Sequence, residues 1–156
     1  MSNNKLLVAI LSGSASDSEF VKATEEYLDY FGVEYESNVI SAHRNPEKVS
    51  EYVSEAHKRG IKVIIAQAGM AAHLAGVAAA HTVLPVIGVP LPGSHLNGKD
   101  SLYSTVQMPA GIPVATMAIG KAGSRNAAVL AVEILALEDE GLQKKLNDFR
   151  AQGAKI

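Results

Sequence analysis

Histidine and arginine stand side by side in Ser41-Ala42-His43-Arg44-Asn45-Pro46, directly after the strand candidate Val33–Ile40 and just before a helix start. An imidazole gives or takes a proton near neutral pH. A guanidinium offers a permanently charged planar fork to a phosphate or carboxylate. The pair suits proton transfer on an anionic ligand, and its bland alternative is a solvated pair at a turn. A second candidate is Ser12-Gly13-Ser14-Ala15-Ser16-Asp17. Its small residues let the backbone approach a ligand, and free amides at a helix start attract phosphate. Asp17 would cap the helix or repel a phosphate, so a sugar hydroxyl is its more natural ligand partner. The bland reading of this loop is a well-capped turn. A third candidate, Gln67-Ala68-Gly69-Met70-Ala71-Ala72-His73-Leu74-Ala75-Gly76, leaves little side-chain bulk and again allows backbone contact. His73 there reads alternatively as a satisfied core histidine.

Other polar residues carry less. The Gly13 loop is neither a Walker loop nor the dinucleotide fingerprint, so neither a nucleoside triphosphate nor NAD is supported. His57 falls on a helix surface, His81 ends a helix where the dipole favours a cation, and His95-Leu96 reads as loop surface. Lys121 reads as an ordinary lysine before a helix. No histidine and carboxylate set has metal-ligand spacing. The absence of cysteine removes disulfides, thiolate metal sites and a thiol nucleophile together.

These residues must be positioned by regular elements. Leu6–Leu11, Val33–Ile40, Ile61–Ala68, Pro85–Val89 and Pro113–Ile119 read as strands, mostly continuous apolar runs of the kind buried on both faces of a parallel sheet. Helices are expected at Ser16–Phe31, from Asn45-Pro46 to Gly60, at Met70–His81, at Ala122–Leu137 and at Glu138–Gln152. Ser16-Asp17-Ser18-Glu19 is a capping-box candidate, Gly32 and Gly60 are stop signals, and Pro46 suits a first helical position. Pro90–Asp100, with Gly93 and Gly98, reads as a long turn able to cover a site. Strands alternating with helices imply right-handed crossovers and a three-layer α/β fold around a parallel five-stranded sheet. Each candidate site then lies at a strand's carboxyl exit, where such sheets bind ligands.

Composition agrees with one domain spanning residues 1–156. The chain is 47% apolar and 19% charged, with 14 basic and 16 acidic side chains and a net charge of −2. That excludes general disorder and leaves no basic stripe for nucleic acid. Met1-Ser2-Asn3-Asn4-Lys5 leads into an apolar run too short for a membrane span and without a signal-peptide cleavage region, so a soluble cytoplasmic protein is expected. The terminal helix at 138–152 bears Leu142, Leu146 and Phe149 on one side, a stripe expected to dock on a neighbouring subunit.

Taken in order, Gly13-Ser14-x-Ser16-Asp17, Ser41-Ala42-His43-Arg44-x-Pro46, Ala71-Ala72-His73-Leu74, Pro85-Val86-Ile87-Gly88-Val89-Pro90, Asp100-Ser101-Leu102, Gln107-Met108-Pro109 and Asn126-Ala127-Ala128 closely resemble the 5-(carboxyamino)imidazole ribonucleotide mutase family of de novo purine synthesis. The resemblance runs from Leu6 to about Leu137. It implies a flavodoxin-like doubly wound fold, a homo-octamer with shared active sites, a ribonucleotide substrate, no cofactor and no metal. It also implies functional coupling to an ATP-dependent carboxyaminoimidazole ribonucleotide synthase. The implied reaction moves a carboxylate from the exocyclic nitrogen to ring carbon C4 by decarboxylation and recarboxylation. In that scheme His43 is the acid/base, and Ser14, Ser16 and Arg44 match phosphate positions. Asp17 matches a ribose-binding position, and Gly69, Ala71 and His73 line the carbon dioxide and base region. Gly13, Ser41, Ala42, Ala68 and Leu74 complete the implied substrate contacts.

Two positions depart from the family pattern, with Met70 where glycine is common and Ala75 where proline is. Met70 would either tighten the pocket or point into the core. A related class carboxylates aminoimidazole ribonucleotide directly; it lacks the Ala-Ala-His-Leu segment and has lysine where Arg44 stands, so this chain sides with the mutases. A non-catalytic nucleotide-binding or flavodoxin-like module is the remaining alternative, although few aromatics stand near the strand exits to stack a flavin.

Overall fold

The computed structural model describes residues 5–156; the N-terminal reading at Met1 to Asn4 lies outside them. Five strands, β1 (Val8–Ser12), β2 (Tyr35–Val39), β3 (Val63–Gly69), β4 (Val86–Leu91) and β5 (Ala115–Thr116), form one sheet in the order β2-β1-β3-β4-β5. Every pairing is parallel, with Ser12 opposite Val39 on one side and Gln67 on the other. The helices are α1 (Ser18–Phe31), α2 (Pro46–Glu55), α3 (Leu74–Ala80), α4 (Lys99–Val106), α5 (Lys121–Leu135) and α6 (Glu140–Ala151). This is the expected α/β three-layer architecture, and its strand order is the flavodoxin-like one.

The alternation of side chains along β1 sorts the core into two layers. Val8 and Ile10 face α1, α5 and α6, packing with Leu28, Phe31, Ala127, Ala131 and Phe149. Ala9 and Leu11 face α2 and α3, packing with Val49, Val53, Leu74 and Ala78. All five β1 residues are buried, as a central parallel strand requires. Strand order reverses between β1 and β3, whose chains leave the sheet toward opposite layers. A crevice therefore opens at their carboxyl ends.

Several boundaries differ from the sequence expectation. The capping box sits two residues earlier than expected, at Ser14–Asp17. Ser16 N–H donates to Ser14 Oγ at 3.2 Å, and Ser14 N–H donates to Asp17 Oδ2 at 3.1 Å, closing a short 3₁₀ turn before α1. Gly32 and Gly60 do end their segments, at φ +71° and +95°. The third helix starts at Leu74 rather than Met70, because residues 70–73 continue the β3 exit. The fifth strand keeps only Ala115–Thr116 of the expected Pro113–Ile119.

The segment read as a long turn, Pro90–Asp100, runs into α4, most of which lies beyond it in a stretch given no element from sequence. Its inward residues, Ser101 and Thr105, are polar yet buried, so no apolar stripe marks it. Their hydroxyls are satisfied by backbone carbonyls: Ser101 Oγ donates to Leu91 O at 2.8 Å, and Thr105 Oγ1 donates to Ser101 O at 2.7 Å. Gly88 lets α4 approach β4, since a Cβ there would fall 2.5 Å from Thr105 Cγ2 and 2.8 Å from Val114 Cγ1.

The stripe of α6 is covered within its own chain. Phe149 is buried and meets the rings of Tyr27, Tyr30 and Phe31 at 5.2 to 6.0 Å, and Leu142 joins the same cluster. This face therefore gives no reason to expect a neighbouring subunit.

Candidate active site

A cavity of about 1090 Å³ opens at the carboxyl ends of β1, β2 and β3. It is lined by Gly13, Ser14, Ser16 and Asp17 after β1, by Ser41, Ala42, His43 and Arg44 after β2, and by Ala68, Gly69, Ala71, His73 and Leu74 around the end of β3. Every residue singled out as catalytic or substrate-binding lies on it. Sequence reading missed Glu19 and Phe20 on α1 and Pro92 and Gly93 after β4. Phe20 carries an ordinary helical-stripe signal that conceals its place on the cavity wall. Pro92 and Gly93 belong to the loop already read as a possible cover.

The β1 wall is a set of short polar side chains tied to one another. Ser14 Oγ and Ser16 Oγ lie 2.9 Å apart, and Asp17 accepts the Ser14 amide. Burial pushes the Asp17 carboxyl above the usual carboxylate range, opposed by that amide hydrogen bond. Gly13 N–H donates to Gln67 O at 3.2 Å, so the β1 exit is pinned to β3. Gln67 is wholly buried below the cavity. Its Nε2 donates to Thr24 Oγ1 at 2.7 Å, and its Oε1 accepts from Ser124 Oγ at 2.9 Å, locking β3 to α1 and α5.

The β2 exit is a tight turn in which Arg44 N–H donates to Ser41 Oγ at 3.3 Å and Asn45 N–H to Ser41 O at 2.9 Å. Pro46 opens α2 as expected, whereas Asn45 makes no side-chain cap bond. The turn leaves the Arg44 side chain exposed at the cavity, outside every ion pair of the described residues.

His43 and His73 meet across the cavity. Nε2 of His43 lies 2.7 Å from Nδ1 of His73, with the rings edge to face at 4.9 Å. One of these nitrogens must donate and the other accept, so a single proton occupies the line between them. His73 is thus exposed and bonded to the other ring, and the core-histidine alternative is excluded. Ser104 of α4 steadies this side, its Oγ accepting the Ala72 amide at 2.8 Å.

The remaining candidates lie elsewhere. His57 and His81 each face a backbone carbonyl, of Ser54 and Val77. Lys121 pairs with Glu19 at 3.0 Å. Among the described residues no three His, Asp or Glu side chains converge to hold a metal ion, and no helix is long and apolar enough to cross a membrane.

Known proteins match this chain over nearly its full length. A Vibrio vulnificus (strain CMCP6) relative named N5-carboxyaminoimidazole ribonucleotide mutase is 56% identical over 145 residues, covering 93% of this chain and 90% of the relative. An Escherichia coli (strain K12) relative of the same name is 51% identical, covering 95% and 88%. The crystal structure of Treponema denticola PurE superposes with a TM-score of 0.85 at 30% identity, covering 95% of this chain and 91% of that one. The family profile described as AIR carboxylase spans residues 7–155. With sequence, fold and profile in agreement, the chain belongs to the AIR carboxylase family.

Proposed function

We propose that this protein is an N5-carboxyaminoimidazole ribonucleotide mutase of purine biosynthesis. It converts 5-(carboxyamino)imidazole ribonucleotide to 4-carboxy-5-aminoimidazole ribonucleotide without cofactor or metal. The observation that carries this reading is the His43–His73 contact at the mouth of a cavity whose other walls suit a phosphorylated sugar.

The chemistry needs one proton carrier used twice. Protonated His43 donates to the exocyclic nitrogen as its carbon–nitrogen bond breaks, the bond electrons staying on nitrogen. Carbon dioxide and aminoimidazole ribonucleotide result. Ring carbon C4 then attacks carbon dioxide, a carbon–carbon bond forms, and the C4 proton passes to His43. The cycle closes with no net proton change. A histidine suits both halves because the working pKa of such a group belongs near the operating pH. His73, holding the other end of the shared proton, orients the His43 ring. Arg44 with Ser14 and Ser16 holds the phosphate through a planar fork and short hydroxyls. Asp17 accepts from ribose hydroxyls, and the small residues Ala68, Gly69 and Ala71 leave room to keep carbon dioxide beside C4.

The protein is further read as a cytoplasmic homo-octamer working with an ATP-dependent synthase that supplies its labile substrate; light scattering tests the assembly. A second reading is the direct carboxylase, favoured by the description of the family profile. The deciding experiment incubates purified protein with 5-(carboxyamino)imidazole ribonucleotide, and in parallel with aminoimidazole ribonucleotide plus bicarbonate, neither with cofactor. Fast formation of C4-carboxylated product only in the first supports the mutase. Product only in the second makes this a direct carboxylase. A folded protein silent in both is a binding module.

A further inference from the structure

Three non-glycine residues hold left-handed backbone among the described residues: Met70 at φ +55°, Asn97 at +54° and Ala154 at +57°. Asparagine tolerates this region, and Ala154 lies two residues from the chain's end. Met70 is different, a long side chain at a position where glycine would sit without strain. It is also 65% exposed, and among the described residues it alone of the exposed large apolar side chains lines the cavity. The backbone strain is therefore not repaid by core packing. It holds an apolar, flexible thioether at the edge of the cavity, between Gly69 and Ala71 and three residues before His73.

We infer that Met70 is a positioning residue that closes the β3 side of the occupied cavity, retaining carbon dioxide over the ring between its release and its recapture. This inference rests on the mutase reading. Carbon dioxide is small and apolar, and only confinement keeps it beside C4. A thioether with three rotatable bonds adapts to a flat ring beneath it, and ligand binding would bury the surface that the free protein leaves in water. No bond to Met70 forms or breaks; the carboxyl carbon leaves nitrogen, stays in the cavity and joins C4.

The test is label retention. Substrate carrying ¹⁴C in its N-carboxylate is turned over in excess unlabelled bicarbonate, enzyme-free decarboxylation is subtracted, and the label in the C4 product is counted. The wild-type protein is expected to keep most of its label. Met70→Gly, which removes both side chain and strain, and Met70→Ala, which removes the side chain alone, should each lose label roughly tenfold more often per turnover. Met70→Leu, apolar and of similar size, should restore retention. Met70→Gly should melt no lower than wild type, so its loss is not one of folding. Equal retention in wild type, Gly and Ala variants overturns the inference, as does loss in the Gly variant alone or free exchange of label in the wild type. If the wild-type protein makes no C4-carboxylated product, the mutase reading itself fails; if it does, a null result at Met70 counts against this inference only.

Discussion

The two principal walls of the cavity are built in opposite ways. After β1, Ser14, Ser16 and Asp17 present hydroxyls and a carboxylate already bonded to each other and to local amides. After β3, the chain presents Gly69, Ala71 and the edge of His73, steadied from behind by Ser104 and Gln67. The first wall offers hydrogen-bonding groups organised within four residues of chain. The second offers mainly shape, and its shape is held by side chains from α1, α4 and α5. A polar wall can be assembled locally because a capping box satisfies itself. A shape-defining wall needs its backbone pinned by distant partners, since small residues bring few contacts of their own.

The largest expected effect separates chemistry from recognition. His43→Asn should lower kcat about a thousandfold while leaving ribotide affinity within a few-fold. Rate measurements with a binding titration check this, and near-normal turnover would remove His43 from the proton-carrying role. Arg44→Ala should weaken ribotide binding about a hundredfold, the scale of lost charge-assisted hydrogen bonds, while barely touching the nucleoside. Calorimetric titration of both ligands is the check, and equal losses would detach Arg44 from the phosphate.

Two changes act on the shape-defining wall alone. Gly88→Ala drives a methyl into Thr105 and Val114 and should destabilise the protein by about 2 kcal/mol. Its effect on the site should pass through α4, raising KM more than it lowers kcat. Ser104→Ala leaves the Ala72 amide without its acceptor and should cost about 1 kcal/mol in denaturant unfolding. An unchanged unfolding midpoint would show that this hydrogen bond does not hold the wall.

The smallest effect belongs to the polar wall. The Asp17 carboxyl is pushed up by burial, so the folded state favours its protonated form. Its contribution to stability is fully present below the ordinary carboxylate pKa and is lost as pH rises through the elevated folded value. The stability of Asp17→Asn relative to wild type should therefore increase with pH across that window and level off above it. Melting curves between pH 3 and 6, spanning the ordinary value of about 3.9, read the trend. A flat difference would mean that Asp17 is no harder to ionise here than in the unfolded chain.

Much of the scaffold was legible in the sequence. β1 and β3 announce themselves as continuous apolar runs because both their faces are covered, and Gly32 and Gly60 mark turns that need left-handed backbone. The chemistry-bearing residues were legible because they cluster directly after strand candidates, those at Ser14–Asp17 and Gly69–His73 after these two runs and His43-Arg44 after β2, a mixed and partly exposed strand. α4 was not, since buried Ser101 and Thr105 satisfy their hydroxyls on backbone carbonyls and so break the apolar period. The capping box was misplaced because the serines in Ser14-Ala15-Ser16-Asp17-Ser18 all suit a cap, and hydrogen-bond geometry alone chose Ser14.

By itself the sequence determined the residue types at each strand exit and the parallel character of the sheet, because both follow from local composition and from burial on two faces. The tertiary structure decided which exits are neighbours. Apolar runs carry no address, so strand order emerges only when helices on two layers compete to cover them. That order, β2-β1-β3, brings His43 and His73 within 2.7 Å across thirty residues of chain. The tertiary structure also decided that the terminal helix spends its apolar face on α1, and that Met70 stands at the cavity with its backbone turned left-handed. Both outcomes depend on contacts between segments far apart in sequence, where close packing rather than local preference selects the conformation.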